Sequence, residues 1–564
     1  MTKRILLSGL LGAFAVFSVV TGATPAQAGP PAGERAYSDL VTLYDDFLEW
    51  KANPPDVGEL NHTETWGGVE DYSTRAVRER RRRIDEFLDA LEDMNVAAWP
   101  RAQQSEYLAV RAKVQEENFR LNISKPWQRD PGYYVDQMLF VTFVDLPVAG
   151  EGLAVAREQL KAIPVLVAEA KKNLTDVAAD YLKLALHNLR NADGVGHGHP
   201  YREVPPAGVI GWYDDLLARV RDAQPDLLPE AEAAKAAVVE YERWLKANSA
   251  KMTGKAGVGE EALDWYIKNV KLMPYTSDEI VVLGQREIDR LWALYALELH
   301  RNRDLPPLEP AGSEEEYVAL IEKTDKQIRE FLVEDDIITI PDYIGYLRAN
   351  VPWIVRPQGR NFWEEVQYRN PSPDHFHAVI PGHRFDGVVE DMNDHPIRGR
   401  ITDGVRNEGW AMYLEEGMLH AGFYADYDLP RVRELIYIFG IFRAARVPAD
   451  VWLQRNEMTV SEVVDYWRAL TPYLDPDVAR VDAEIYLRRP PGYGLGYAMG
   501  MLQMQRLLAD VRRVEGEDFT LKAFHDEFMS LGRLPLSLIR WEMTGLDNEI
   551  EEFWESESLP KPRR

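Results

Sequence analysis

Cysteine is absent from all 564 residues. That excludes disulfides, thiolate metal ligands and cysteine nucleophiles, and it removes the residue on which a lipoprotein anchor is built. Basic charge is in deficit: 65 Lys and Arg stand against 92 Asp and Glu, a net charge of −27. An acidic surface of this size argues against nucleic acid or an anionic membrane as the main partner, and leaves a small-molecule or peptide substrate. Strand-like alternation is scarce, the best short candidate being "EDDIITIPDYI" around Ile337. There is no repeat of fixed period, no low-complexity linker and no G-x-x-x-x-G-K phosphate loop. The glycines of "YGLGYAMG" follow no strand, so they do not read as a dinucleotide fingerprint.

What is present begins with an export signal. Lys3 and Arg4 precede an apolar run from Ile5 to about Ala23, and Ala26-Gln27-Ala28 supplies an A-x-A cleavage site. The run approaches the roughly 20 residues that span a bilayer. Gly9, Gly12 and Gly22 dilute it, so cleavage after Ala28 and secretion to the envelope or exterior are expected, with no membrane attachment afterwards.

The remainder is 46% hydrophobic over the whole chain and patterned as helix. "STRAVRERRRRIDEFLDALEDMN" opens on a capping Ser73 or Thr74 and places Val77, Ile84, Leu88 and Leu91 at helical spacing. Its arginine run, Arg78 to Arg83, reads as a solvated face. "TSDEIVVLGQREIDRLWALYALELH" opens with Thr276 and Glu279 as a capping box and carries Ile280, Leu283, Ile288, Leu291 and Tyr295 on one stripe. A third helical stretch from Val155 to Leu189 is expected to break at Pro164. The expected architecture is mainly α, one large helical unit over 29–564, with an N-terminal layer (29–205) over a catalytic part (206–564). Trp410, Trp452 and Trp467 read as core aromatics.

Chemistry concentrates in "HFHAVIPGHRFD", where His375, His377 and His383 fall within nine residues. Neutral imidazole is the usual protein ligand for zinc where cysteine is lacking. Glu408 opens "EGWAMYLEEGML", and on a helix Glu408, Met412 and Glu415 share a face. Two histidines and a later glutamate make a catalytic zinc set with a position left for water. The gap from His377 to His383 is six residues, however, which on an unbroken helix is the wrong side. Pro381-Gly382 must interrupt the helix for both rings to meet; otherwise the histidines form a hydrogen-bonded loop cluster. The pair His197 and His199 reads as a polar loop.

"HAVIPGHR" followed by "NEGWAMYLEEG" resembles the bacterial domain-of-unknown-function 885 family. Its members show H-E-x-x-P-G-H-H-x-Q and then E-G-W-A-x-Y-x-E. "PPDVGELNHTETWGGVEDYST", "RAARVPADVWLQ", "PPGYGLGYAMG" and "FHDEFMSLGRLPLSLI" resemble further segments of it, in order. The family is similar to helical zincin-like metallopeptidases. The resemblance therefore implies hydrolysis of a peptide or amide bond, zinc on His377, His383 and Glu408, and a hydrogen bond from Tyr497 to a developing oxyanion.

The departures fall where the chemistry would be. Ala378 replaces the glutamate that takes a proton from water, Arg384 the last histidine, and Asp386 the glutamine after it. Gln454 and Tyr493 replace a histidine and a glutamine further on. Losing a general base removes about 10²–10⁴ of rate. Asp386, Glu390, Asp391 and Glu415 are candidates to replace it. Three readings follow: a zinc hydrolase with a changed base, a metal-independent lyase, isomerase or cyclase binding an anion at Arg384, and a binding protein without activity.

Overall fold

The computed structural model describes residues 29–51, 69–191, 206–356, 359–555 and 557–560. The export signal and the His197/His199 pair lie outside these. Among the described residues the secondary structure is helical, with three isolated β-bridges and no strand. Among the described residues no helix is long and apolar enough to cross a membrane.

Several helices start where a side chain caps them. Ser73 accepts the Ala76 N–H and begins Thr74–Glu92, which buries Val77, Ile84, Phe87 and Leu91. Thr276 and Glu279 form the reciprocal capping box of Ser277–Arg301, satisfying two backbone donors that have no partner inside the helix. Ile280, Ile288 and Leu291 are buried on its inner stripe, with Leu283 and Tyr295 partly covered.

Two expectations are corrected. The helix Gly150–Asn173 runs through Pro164 rather than breaking there. Proline removes one ladder bond, while Ile163, Leu166 and Val167 beside it are buried and hold the flanking turns. The segment around Ile337 is not a strand, because no neighbouring strand offers a ladder. Its backbone is used by side chains instead: Ile337 C=O accepts from His525, and Thr339 N–H donates to Asp526. Ile337 and Ile338 are buried and pin it to the core.

One continuous apolar core runs from Leu40 near the start to Trp554 near the end. Six helices, numbered in chain order, position the site: α1 (Ser372–Ala378), α2 (His383–Asp391), α3 (Gly404–Ala421), α4 (Val432–Ala444), α5 (Arg446–Gln454) and α6 (Gly496–Glu515). α3 and α6 pack along most of their lengths. Their closest approach is Gly409 against Gly500, where an added Cβ on either would lie about 2.5 Å from the other's backbone. Only a residue without a side chain permits that distance, and it brings Glu408 of α3 next to the start of α6.

Candidate metal centre

α1 ends at Ala378 and α2 begins at His383, so the six-residue gap is bridged by a tight reversal and not by helix. Gly382 sits inside this reversal, where a Cβ would lie 1.8 Å from the His377 carbonyl oxygen. Trp410, fully buried on α3, donates its indole N–H to the Pro381 carbonyl at 2.9 Å and fixes the turn from below. The Pro-Gly interruption thereby turns both imidazoles to one side, and their rings meet edge to face with centroids 4.8 Å apart.

Glu408 completes the group. Its Oε2 lies 3.5 Å from His377 Nε2 and 3.3 Å from His383 Nε2. The three ligand atoms all fall within 4.8 Å of one another. That Oε2 is closed off from solvent and makes no hydrogen bond. Ligands about 2.0–2.1 Å from a tetrahedral zinc stand about 3.3 Å apart, which the two edges from Glu408 match, while the edge between the two imidazoles lies within 4.8 Å. A buried carboxylate oxygen without a hydrogen bond, flanked by two imidazole nitrogens at that separation, fits a cation. His383, with a third of its side chain exposed, is the open side.

The protein's own charges set this arrangement. Burial and Arg443 favour neutral His377, yet Glu408 and Glu415 outweigh them and raise its pKa. Burial alone would raise Glu408, but the two histidines hold it well below the usual carboxylate range. Glu415 Oε1 lies 2.8 Å from His377 Nδ1, and Arg443 of α4 pairs with that same oxygen. A carboxylate behind one ring nitrogen leaves the other, Nε2, as the ligand.

Tyr493 donates to Glu408 Oε1 at 3.4 Å, and Tyr497 donates to Tyr493 at 3.4 Å. Burial, then Glu408, raises both phenols above their usual pKa, so they stay protonated as donors. Tyr497 thus reaches the cluster through Tyr493. Arg446 of α5 stacks on Tyr497, 4.1 Å from its ring centroid, and pairs with Asp482 at 2.9 Å.

The seven residues singled out from sequence separate in three ways. His377, His383 and Glu408 converge. Glu415 stands against His377 and pairs with Arg443. Asp386 Oδ2 is held by Arg406 at 2.6 Å and Arg533 at 3.1 Å. Arg384 is half-buried beside His383, and its Nε makes no hydrogen bond. Among the described residues no further carboxylate joins the three-ligand cluster. Of the other departures, Gln454 is buried and donates to the Tyr486 carbonyl at 2.9 Å, a helix-packing bond.

Arg443, Arg446 and Asp450 were not assigned roles from sequence, although "RAARVPAD" carries all three. The available signal was charge inside the apolar run "YIFGIF" and its continuation, since a charge there must be paired. Asp450 accepts the Leu495 N–H at 3.0 Å and seats the start of α6.

The fold is similar to two solved structures. A candidate lipoprotein of unknown function from Shewanella oneidensis shares 17% identity at a TM-score of 0.70, covering 90% of this chain and 100% of its own. A candidate lipoprotein from Colwellia psychrerythraea shares 16% at 0.67, covering 91% and 99%. Among curated proteins no sequence matches the chain. Residues 374–543, which carry all three converging residues together with Glu415, Arg443 and both tyrosines, match the model of a bacterial protein family of unknown function, DUF885.

Proposed function

We propose that this protein is an exported hydrolase that cleaves a peptide or amide bond at a zinc ion held by His377, His383 and Glu408. The observation that carries the reading is the Glu408 Oε2 without a hydrogen bond, 3.3 and 3.5 Å from two imidazole nitrogens. Zinc there would polarise a carbonyl oxygen and acidify water. Glu415 and Arg443 hold the His377 ring, while Tyr493 holds the second oxygen of Glu408. Tyr497, a protonated phenol behind Tyr493, keeps that donor oriented. Ala378 contributes no base, so turnover is slower by about 10²–10⁴ than with a carboxylate in its place. The structural relatives are candidate lipoproteins, which supports a place in the cell envelope. Without cysteine this chain would be released there after cleavage at Ala28 and not lipid-anchored.

The test is elemental analysis of the purified chain together with peptide digestion read by mass spectrometry. One zinc per chain, lost in His383→Ala along with cleavage, is expected. Zinc-loaded protein that holds no ion after dialysis and leaves every peptide intact removes the reading. A second reading, favoured by the unpaired guanidinium of Arg384, lets the site bind an anionic substrate without metal. Activity that survives a chelator and falls in Arg384→Ala selects it. Absence of turnover with ligand binding retained selects a binding protein.

A further inference from the structure

We propose that Asp386 is a positioning residue: with Arg406 and Arg533 it clamps α2 to α3 so that His383 faces Glu408. The clamp stands on contacts between the helices; its effect on zinc rests on the hydrolase reading.

Three contacts that join the reversal and α2 to α3 run in antiparallel order. The Pro381 carbonyl accepts from Trp410 at 2.9 Å, His383 Nε2 lies 3.3 Å from Glu408 Oε2, and Asp386 Oδ2 pairs with Arg406 at 2.6 Å. The two candidate ligands are therefore the middle pair, flanked along both segments by a hydrogen bond on one side and an ion pair on the other. On α2, His383 and Asp386 are three residues apart, about 4.5 Å along the axis and on adjoining faces. A helix held only at Pro381 can swing about that point. A second hold beyond His383 fixes its direction.

α2 has little else to hold it. Its nine residues are too few for a helix that is stable by itself. Phe385 and Asp386 are its buried residues, with Val388 and Val389 partly covered. Its first turn is tied back to the reversal, Phe385 N–H to the Val379 carbonyl at 3.0 Å and Asp386 N–H to the Gly382 carbonyl at 2.9 Å, and neither bond reaches α3. Burial of Phe385 is attraction without direction, whereas a charge-assisted hydrogen bond has a set geometry. Asp386 supplies the directional hold.

The partners of Asp386 are themselves fixed. Arg406 is fully buried, lies over the Phe528 ring at 4.6 Å from its centroid and points a second nitrogen at Met529 Sδ, 3.7 Å away. Arg533 holds both helices at once. Its backbone carbonyl accepts the Asp403 N–H at 3.0 Å where α3 begins, and its Nε donates to Asp386 Oδ2 at 3.1 Å. Asp403 in turn caps α3 by accepting the Arg406 N–H at 2.8 Å. Separating α2 from α3 would leave the buried Arg406 guanidinium without its paired charge, so the clamp resists opening.

Hydrogen exchange of the metal-free chain, read by mass spectrometry, tests the clamp. In Asp386→Asn the α2 amides should exchange about tenfold faster, with those of α3 and α6 unchanged. Arg533→Gln leaves Arg406 its partner and should shift the same amides by less, which keeps the proposal testable where Asp386→Asn does not fold. Competition for zinc against a chromogenic chelator should show affinity about tenfold weaker in Asp386→Asn. At full occupancy by cobalt(II), the visible spectrum of that variant should depart from the wild-type spectrum, a change that lower stability alone does not produce. Unchanged α2 exchange in both variants, or acceleration spread equally over α3 and α6, overturns the proposal. Faster α2 exchange with zinc affinity and cobalt spectrum both unaltered overturns it as well. A wild type that takes up neither ion removes the hydrolase reading, and the exchange result then decides the clamp alone.

Discussion

Glu415 Oε1 stands 2.8 Å from His377 Nδ1, on the side of the ring opposite Glu408. The carboxylate is buried, and Arg443 completes its pairing. Glu415→Gln removes the charge but keeps the shape. Zinc affinity is expected to fall 10- to 100-fold, the usual effect of losing such a partner. Arg443 loses its counter-charge in the same variant, at a cost of about 3–5 kcal/mol in stability. Competition with a chromogenic chelator, at a temperature where the variant is folded, measures the first effect. Unchanged affinity would show that Glu415 does not orient the ring.

Ala378 follows His377 directly and offers no proton acceptor. Ala378→Glu is expected to raise zinc-dependent peptide cleavage by about 10²–10⁴. Initial rates on a peptide mixture, at equal zinc occupancy, decide it. A variant that binds zinc and cleaves no faster would place the proton acceptor elsewhere.

Gly500 permits the contact between α3 and α6. A methyl group there would lie 2.4 Å from the Val405 carbonyl oxygen and 2.6 Å from Gly409 Cα. Backbone at both points has little freedom to retreat, so Gly500→Ala should destabilise the fold by about 3 kcal/mol or more. Because α3 carries Glu408 and α6 carries Tyr497, zinc binding should weaken with it. Urea unfolding checks the first effect, and a change below about 1 kcal/mol would contradict the packing argument.

His525 gives a pH dependence of definite sign. Burial lowers its pKa from 6.5 to about 4, against the opposing effect of its bond to Ile337. Its Nδ1–H donates to the Ile337 carbonyl at 2.8 Å, and its Nε2 accepts from Tyr413 at 2.9 Å. Between those two values the unfolded chain binds a proton that the folded chain does not. Stability from this group is complete above about pH 6.5 and is lost as pH falls toward 4, by about 3 kcal/mol in all. The stability difference between wild type and His525→Gln should shrink by about 2 kcal/mol from pH 7 to pH 5. Urea titrations at both pH values test this, and a constant difference rejects it.

The helical class was legible because its causes are local. Ser73, Thr276 and Glu279 cap the helices that their positions announce, and Ile280, Ile288 and Leu291 recur at the period of one turn. Pro164 and the Ile337 segment misled for the converse reason. Whether a proline ends a helix, or an apolar stretch becomes a strand, depends on what packs beside it. At the site, residue type and spacing singled out His377, His383 and Glu408, and the Pro-Gly pair showed that the helix had to be interrupted between the first two.

Sequence by itself therefore determined the candidate ligands and the helical class. Only the tertiary structure decided which carboxylates are free and which are engaged. Asp386 and Glu415 look alike along the chain, and each is claimed by an arginine distant in sequence: Arg533 for Asp386, Arg443 for Glu415. Charge pairing in an interior is a long-range property, settled by which helices meet and not by what each helix is made of.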